Sequence, residues 1–227
     1  MSAPKCFVIG LSLLALGFFV DGAYIHAKAW LAQQLIAKSW QDSLQRYSAQ
    51  EYSDSMFKTD LMLGAQSVIA ERQGGFNVEN PRILSDPVKP WSWADTWPIA
   101  RLSGDQMSRD LYVLADASGQ SLAFGPGHIV LSAFPGESGE IMIAGHRDTH
   151  FAFVQHLQLG HELRLQTQDS RWHCYRVLTN QVVDTNSQQW TLGEGDFLQL
   201  VTCYPFEGVA QTSLRYVVSA ESLGLCS

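Results

Sequence analysis

Runs of lysine or arginine are missing from this chain of 227 residues, and its formal net charge is −7. Phosphate neutralisation needs clustered basic side chains, so a nucleic-acid surface is excluded. Cysteine is scarce too: the four residues stand at positions 6, 174, 203 and 226, with neither the spacing of a zinc pair nor a CxxC redox motif. Four scattered cysteines in a chain this long do not make a disulfide scaffold. At least one is therefore a candidate reactive thiol. No internal repeat is evident. Charged residues are few, 16% against 46% apolar, which removes the disordered and fibrous classes and predicts that most of the chain folds. The length suits one domain plus an appendage.

Long apolar runs are also lacking, with one exception. Lys5 precedes an uncharged stretch from Cys6 to Val20 that Asp21 closes. Its length falls between a signal-peptide core and a full span, and Ala27-Lys28-Ala29 before Trp30 offers a small-residue cleavage pattern. The stretch extends past Asp21 to Ile25, and Tyr24 and Trp30 suit a membrane–water boundary, so residues 1–25 read as an uncleaved anchor. Lys5 on the cytoplasmic side then puts the remainder outside the inner membrane, a single-pass protein facing the periplasm. Residues 26–90 read as a helical stalk and linker. Ala27, Leu31 and Leu35 repeat at fours and Trp30, Ile36 and Trp40 widen the stripe, which predicts a helix from Gly22 to about Tyr47. A weaker helical pattern from Asp54 to Gln73 breaks at Gly74-Gly75 and at Pro81, Pro87 and Pro90.

Residues 91–227 have another texture: short apolar or alternating runs separated by Gly, Pro, Asp and Ser, which predicts a mainly β domain, a sandwich or barrel. Strands are expected at Trp97 to Leu102, Asp110 to Ala115, His128 to Ser132, Glu140 to Ala144, Glu162 to Thr167, Arg171 to Asp184, Phe197 to Cys203 and Ser213 to Ala220. A short helix is expected at Thr149 to Leu157, with Asp148 as its N-cap.

On this framework His146 sits where a buried strand gives way to a loop, and Cys203 ends a strand just before Tyr204-Pro205 breaks the ladder. Arg215 follows on the next strand, between Leu214 and Tyr216, where an unpaired buried guanidinium would be expensive. These three residue types fit acyl transfer. A thiolate attacks a carbonyl, an imidazolium protonates the departing amine, and a fixed cation stabilises the oxyanion.

The same residues carry a resemblance to the sortase family: a strand-end His, a Thr-Cys pair and an Arg on the following strand are here His146, Thr202-Cys203 and Arg215. The phrases Pro90-Trp91-Ser92-Trp93-Ala94-Asp95-Thr96-Trp97-Pro98, Ala123-Phe124-Gly125-Pro126-Gly127-His128, Gly145-His146-Arg147-Asp148-Thr149-His150-Phe151 and Thr202-Cys203-Tyr204-Pro205-Phe206 look like the Gram-negative class of marine and related proteobacteria. The resemblance implies an eight-stranded β-barrel without cofactor or metal. The barrel recognises a C-terminal Leu-Pro-x-Thr-Gly-type sorting signal and forms a thioacyl enzyme. It then passes the acyl group to an amine acceptor or, more slowly, to water. It makes Cys203 the nucleophile, His146 the general acid and then base, and Arg215 the orienting cation. Thr202, Tyr204 and His128 are further candidates for contact with substrate.

Two other classes compete. His146 and His150 stand four apart and, joined by Cys203, would make a zinc site for a hydrolase or a structural metal module. Against that, Arg147 occupies the place where the helical two-His motif has Glu. A non-catalytic, membrane-anchored envelope binding module is the other alternative. Among single residues, Arg215 has an alternative role in an ion pair with Asp148 or Glu207. Cys174 reads as a packing residue, and Trp91, Trp93 and Trp97 read as core or interdomain wedges.

Overall fold

The computed structural model describes residues 27–53, 55, 87–187, 195–207 and 212–226. The anchor segment 1–25 and the weaker helix at 54–73, apart from residue 55, lie outside the described residues. No helix among the described residues is long and apolar enough to cross a membrane.

Helix α1, over 27–53, lies against the β domain. Its buried stripe is Ala32, Ile36 and Trp40, spaced by fours, whereas Trp30 is 65% and Leu31 51% exposed. Ile36 and Trp40 are buried as expected, but the row Ala27, Leu31 and Leu35 is one residue out of phase with the buried face. Ser39 and Ser43 hide the true stripe in the sequence, because both are buried on it with their hydroxyls donating to carbonyls, Ser39 to Val88 at 2.5 Å and Ser43 to Trp40 at 2.7 Å. Gln33 Nε2 donates to the Phe124 carbonyl at 2.6 Å. In its described part the expected stalk is docked, because those side chains leave little of the stripe to solvent.

Eight strands among the described residues close into one barrel: β1 (Pro98–Gly104), β2 (Leu111–Leu114), β3 (Gly127–His128), β4 (Glu140–Ala144), β5 (Glu162–Gln166), β6 (Trp172–Asp184), β7 (Phe197–Cys203) and β8 (Leu214–Leu225). Their order is β1-β2-β3-β4-β7-β8-β6-β5, with β2·β3 and β4·β7 parallel and the remaining pairs antiparallel. Alternation drives the closure. Ile141 and Ile143 of β4, Leu163 and Leu165 of β5, Leu198 and Leu200 of β7 and Val218 and Ala220 of β8 all face one core. Each fully buried Leu or Ile contributes about 2 kcal/mol. The alternate residues Met142, Val201 and Val217, with Val183 of β6, form a second apolar cluster on the outer face, beside Ile129.

Four expectations need correction. Strand β3 is two residues long: past His128, Ile129 N still donates to Met142 O at 2.9 Å, but the Ser132 side chain then replaces the ladder, donating to Ile129 O and accepting from Met142 N. The helix expected at Thr149 to Leu157 is a short 3-10 helix, Ala152–His156, whose N-cap is Phe151 without a side-chain bond, so Asp148 caps nothing. Trp93 is 79% exposed and packs no core, while Trp91 stacks edge-on with Phe124 at 5.1 Å. Cys174 is not a packing thiol: it is disulfide-bonded to Cys226, 52 residues away. The β6–β8 register, Cys174 opposite Gly224, brings the two together. One further element, α2 (Gly119–Leu122), is capped by Ser118, whose side chain accepts from Ser121 N.

Candidate active site

Cys203 is the last residue of β7, and two neighbouring strands bring partners to it. Strand β4 runs parallel to β7 with Ala144 opposite Val201. Past the end of β4 the pairing continues, since Gly145 N donates to Val201 O at 3.1 Å and Thr202 Oγ1 donates to Gly145 O at 2.7 Å. That register carries His146 level with Cys203. On the other side β8 runs antiparallel with Arg215 directly opposite Cys203. Directly paired residues share a face, their Cβ atoms about 5 Å apart. His146, Cys203 and Arg215 therefore form one row across β4, β7 and β8, on the outer face and next to the row Ala144, Val201, Val217. Cys203 and Arg215 are half-buried and His146 is exposed. Cys203 is a free thiol.

Local sequence explains why His146 is presented. Phe151 is completely buried, and a Cβ on Gly145 would lie 2.5 Å from Phe151 Cγ. Only glycine allows the ring to sit there. The turn wraps around that ring, with Phe151 N donating to His146 O at 2.9 Å, and the imidazole is left outside. Arg147 Nη1 donates to Pro205 O at 2.7 Å, which ties this turn to the segment after Cys203.

Arg215 is held by backbone, not by a carboxylate: Nη1 donates to Thr212 O at 2.8 Å and to Leu214 O at 2.9 Å. Among the described residues it has no ion pair with Asp148 or Glu207. Both bonds use Nη1, and among the described residues Nε and Nη2 have no partner, which leaves their donors to an incoming oxygen.

The other candidates fall elsewhere. Thr202 points inward and is 2% exposed, its hydroxyl committed to Gly145 O, so it positions the row. Tyr204, joined to Pro205 by a cis peptide, stacks on Tyr216 at 6.2 Å with Phe206 edge-on to both. It lies beside Cys203 as part of an aromatic cluster. His128 pairs with Ile143, a core residue, and is therefore on the face opposite Cys203. Its ring sits 2.9 Å from Ala133 O, and burial lowers its pKa against the opposing effects of that bond and Glu137.

His150 is half-buried, with Nδ1 buried and unpartnered. Burial, then Arg109, then His146 lower its pKa. Sequence reasoning gave Arg109 no role, since nothing local marks a residue whose neighbour His150 is 41 positions on. Among the described residues no group of three or more His, Cys, Asp or Glu is placed to hold a metal ion. The zinc reading of His146, His150 and Cys203 fails geometrically, because His150 lines a cavity with Arg109 instead of completing a site on Cys203.

A family model described as the sortase domain matches residues 102–223, which include all three members of the row. Sortase D of Bacillus subtilis (strain 168) is 32% identical over 115 residues, 50% of this chain and 58% of that protein. Among solved structures, Sortase A from Corynebacterium diphtheriae superposes with a TM-score of 0.53 at 24% identity, covering 62% of this chain and 66% of that one. The lid mutant of the same protein gives 0.52 at 25%, covering 59% and 74%. The chain thus spans less than two thirds of both the Bacillus relative and the first of these structures.

Proposed function

The chain belongs to the sortase family, and from that premise we propose that it is a cysteine transpeptidase. It cleaves a Leu-Pro-x-Thr-Gly-type signal at the C-terminus of a surface or envelope protein and joins the new end to an amine. The observation that carries this reading is the row His146, Cys203, Arg215 on three adjacent strands.

The chemistry follows from the row. The Cys203 thiolate attacks the Thr carbonyl carbon, and the free donors of Arg215 meet the negative charge that gathers on oxygen. His146 gives its proton to the departing amine nitrogen as the C–N bond breaks, leaving a thioester on Cys203. An incoming amine then loses a proton to His146, attacks the thioester and releases the thiolate, and water follows the same route more slowly.

For location we keep the inner membrane, with the segment from Cys6 to Val20 as a single-pass anchor and the barrel in the periplasm. Lys5 before that segment supports the orientation, and the Cys174–Cys226 bond suits an oxidising compartment. Placement in the Gram-negative class rests on the four sequence phrases, since the relatives above come from Bacillus subtilis and Corynebacterium diphtheriae.

The test incubates the full chain with a Leu-Pro-x-Thr-Gly peptide and a small amine and measures the Thr-amine product by mass. No product, or product undiminished in Cys203→Ala, would sink the assignment. Selective alkylation of Cys203 that left every activity intact would favour a non-catalytic binding module.

A further inference from the structure

A cavity of about 370 Å³ opens between the turn joining β1 to β2 and the segment that follows His146. We propose that it is the subsite for the amine acceptor and that it takes a carboxylate carried by that amine, held between Arg109 and His150. The inference rests on the transpeptidase reading and adds a substrate class to it.

Position comes first. Cys203 lies on the β7 side of His146, whereas the cavity lies towards β1 and β2, lined by Arg109, Gln106 and Ser108 from one wall and Thr149, His150 and Phe153 from the other. His150 is close enough to both Arg109 and His146 for their charges to act on it. An acyl group on Cys203 and an amine in the cavity would flank the base that must take the proton of the amine. The step balances: the amine nitrogen bonds to the thioester carbon, the C–S bond breaks to release the Cys203 thiolate, and the amine proton ends on His146.

Charge comes second. Arg109 has no ion pair among the described residues, and the acid next to it, Asp110, is bonded to Arg101. The buried Nδ1 of His150 has no partner. Two groups that favour an anion, an unpaired guanidinium and an unsatisfied imidazole nitrogen, thus line one cavity, and a carboxylate answers both. Met107 and Phe153 give it an apolar side against which the carbons of an amino acid can lie.

Rigidity comes third. The first wall is pinned to β5, Asp105 N donating to Glu162 O at 2.9 Å and Glu162 N donating to Asp105 Oδ2 at 2.9 Å, and Met107 packs on the core. The second wall is the turn built around Phe151. The backbone of both walls is thus anchored, while the exposed Arg109 side chain is left to close on the ligand.

The experiment titrates the full chain with glycylglycine and separately with glycylglycinamide, following the His150 ring by NMR. The same pair is then offered as acceptors in competition during peptide transfer. The acid should bind at least about tenfold tighter than the amide, as a carboxylate on an otherwise unpaired Arg requires. Arg109→Gln should remove most of that preference in both assays, and Arg109→Lys should restore part of it. Equal binding of acid and amide, or a preference untouched by Arg109→Gln, overturns the subsite. Transfer with no preference between the two overturns the subsite and leaves the transpeptidase. Acid preference at His150 with no thioacyl enzyme from any sorting peptide overturns the transpeptidase reading instead.

Discussion

At one end of strand β8, Arg215 stands opposite a free cysteine; just beyond its other end, Cys226 is bonded to Cys174. The two sulfur sites are eleven residues apart along the chain at Arg215 and Cys226, about 36 Å of extended strand. The closed end is covalently fixed and contributes stability. The open end is held by backbone hydrogen bonds, through Thr202, Gly145 and Arg215, and keeps a thiol available. The difference shows how a barrel with three cysteines in its β domain protects its nucleophile: the β6–β8 register uses up two of them far from the third. A wrong disulfide to Cys203 would require the strands to come apart.

The sharpest division between the ends is at Cys203 itself. Cys203→Ala should lower transfer about a thousandfold or more while moving stability by under about 0.5 kcal/mol, because the residue lies at a rim. Peptide turnover and thermal melting on the same sample check both halves. The converse variant removes the lock, Cys174→Ala with Cys226→Ala. A closed loop of 52 residues predicts a loss of about 4 kcal/mol and a melting point lower by roughly 8–16 °C. Transfer at 25 °C by the protein that remains folded should stay within about twofold. A drop of more than about tenfold would mean that the ends are mechanically coupled and would break the comparison.

The next effect sharpens the open end. Arg215→Lys keeps the charge but loses the fork that bonds two carbonyls and still presents Nε and Nη2. Transfer should fall about a hundredfold or more, in kcat and not in KM. Lysine at wild-type speed would reduce Arg215 to a point charge. Gly145→Ala should move both quantities, since its Cβ meets the Phe151 ring at 2.5 Å. Overpacking costs about 1–3 kcal/mol, and the displaced His146 costs up to about a hundredfold in rate. Restored rate in Gly145→Ala with Phe151→Leu would confirm that the ring is the obstacle.

Much of the open end was legible in the sequence. Strand β4 reads as a buried apolar run and β7 as an alternating one, they end at Ala144 and Cys203, and they lead to residue types whose chemistry converges. The closed end was not legible, because Cys174 between His173 and Tyr175 looks like any strand cysteine. Only the pairing of β6 with β8, two bulges included, reveals its partner. In α1 the sequence marks Ile36 and Trp40 correctly, but the row through Ala27, Leu31 and Leu35 is one residue off, because serines satisfied by nearby carbonyls pass for a polar face. Arg109 and His150 were illegible for a third reason: their relation depends on two turns meeting across the barrel, and no periodicity records that.

Acidification tests a smaller difference. His128 and His150 both have pKa values below the ordinary histidine value of 6.5, each chiefly through burial, with Arg109 and His146 adding to the effect at His150 and the Ala133 bond and Glu137 opposing it at His128. A histidine whose pKa is lowered in the folded state binds its proton more readily unfolded. Its stabilising contribution is therefore complete above 6.5 and is lost as pH falls towards the lowered value. Asp116, Asp169, Asp184 and Asp196 also have lowered pKa values, but their contributions begin to fade only near and below 3.8. Melting between about pH 7.5 and 5 thus isolates the histidines. The melting point should fall over that range and fall less in His128→Gln, whose side-chain amide can still donate to Ala133 O. Because His128 faces the core and not the reactive row, that variant should retain wild-type transfer, and an unchanged melting slope would show that the buried ring takes up its proton without cost to the fold.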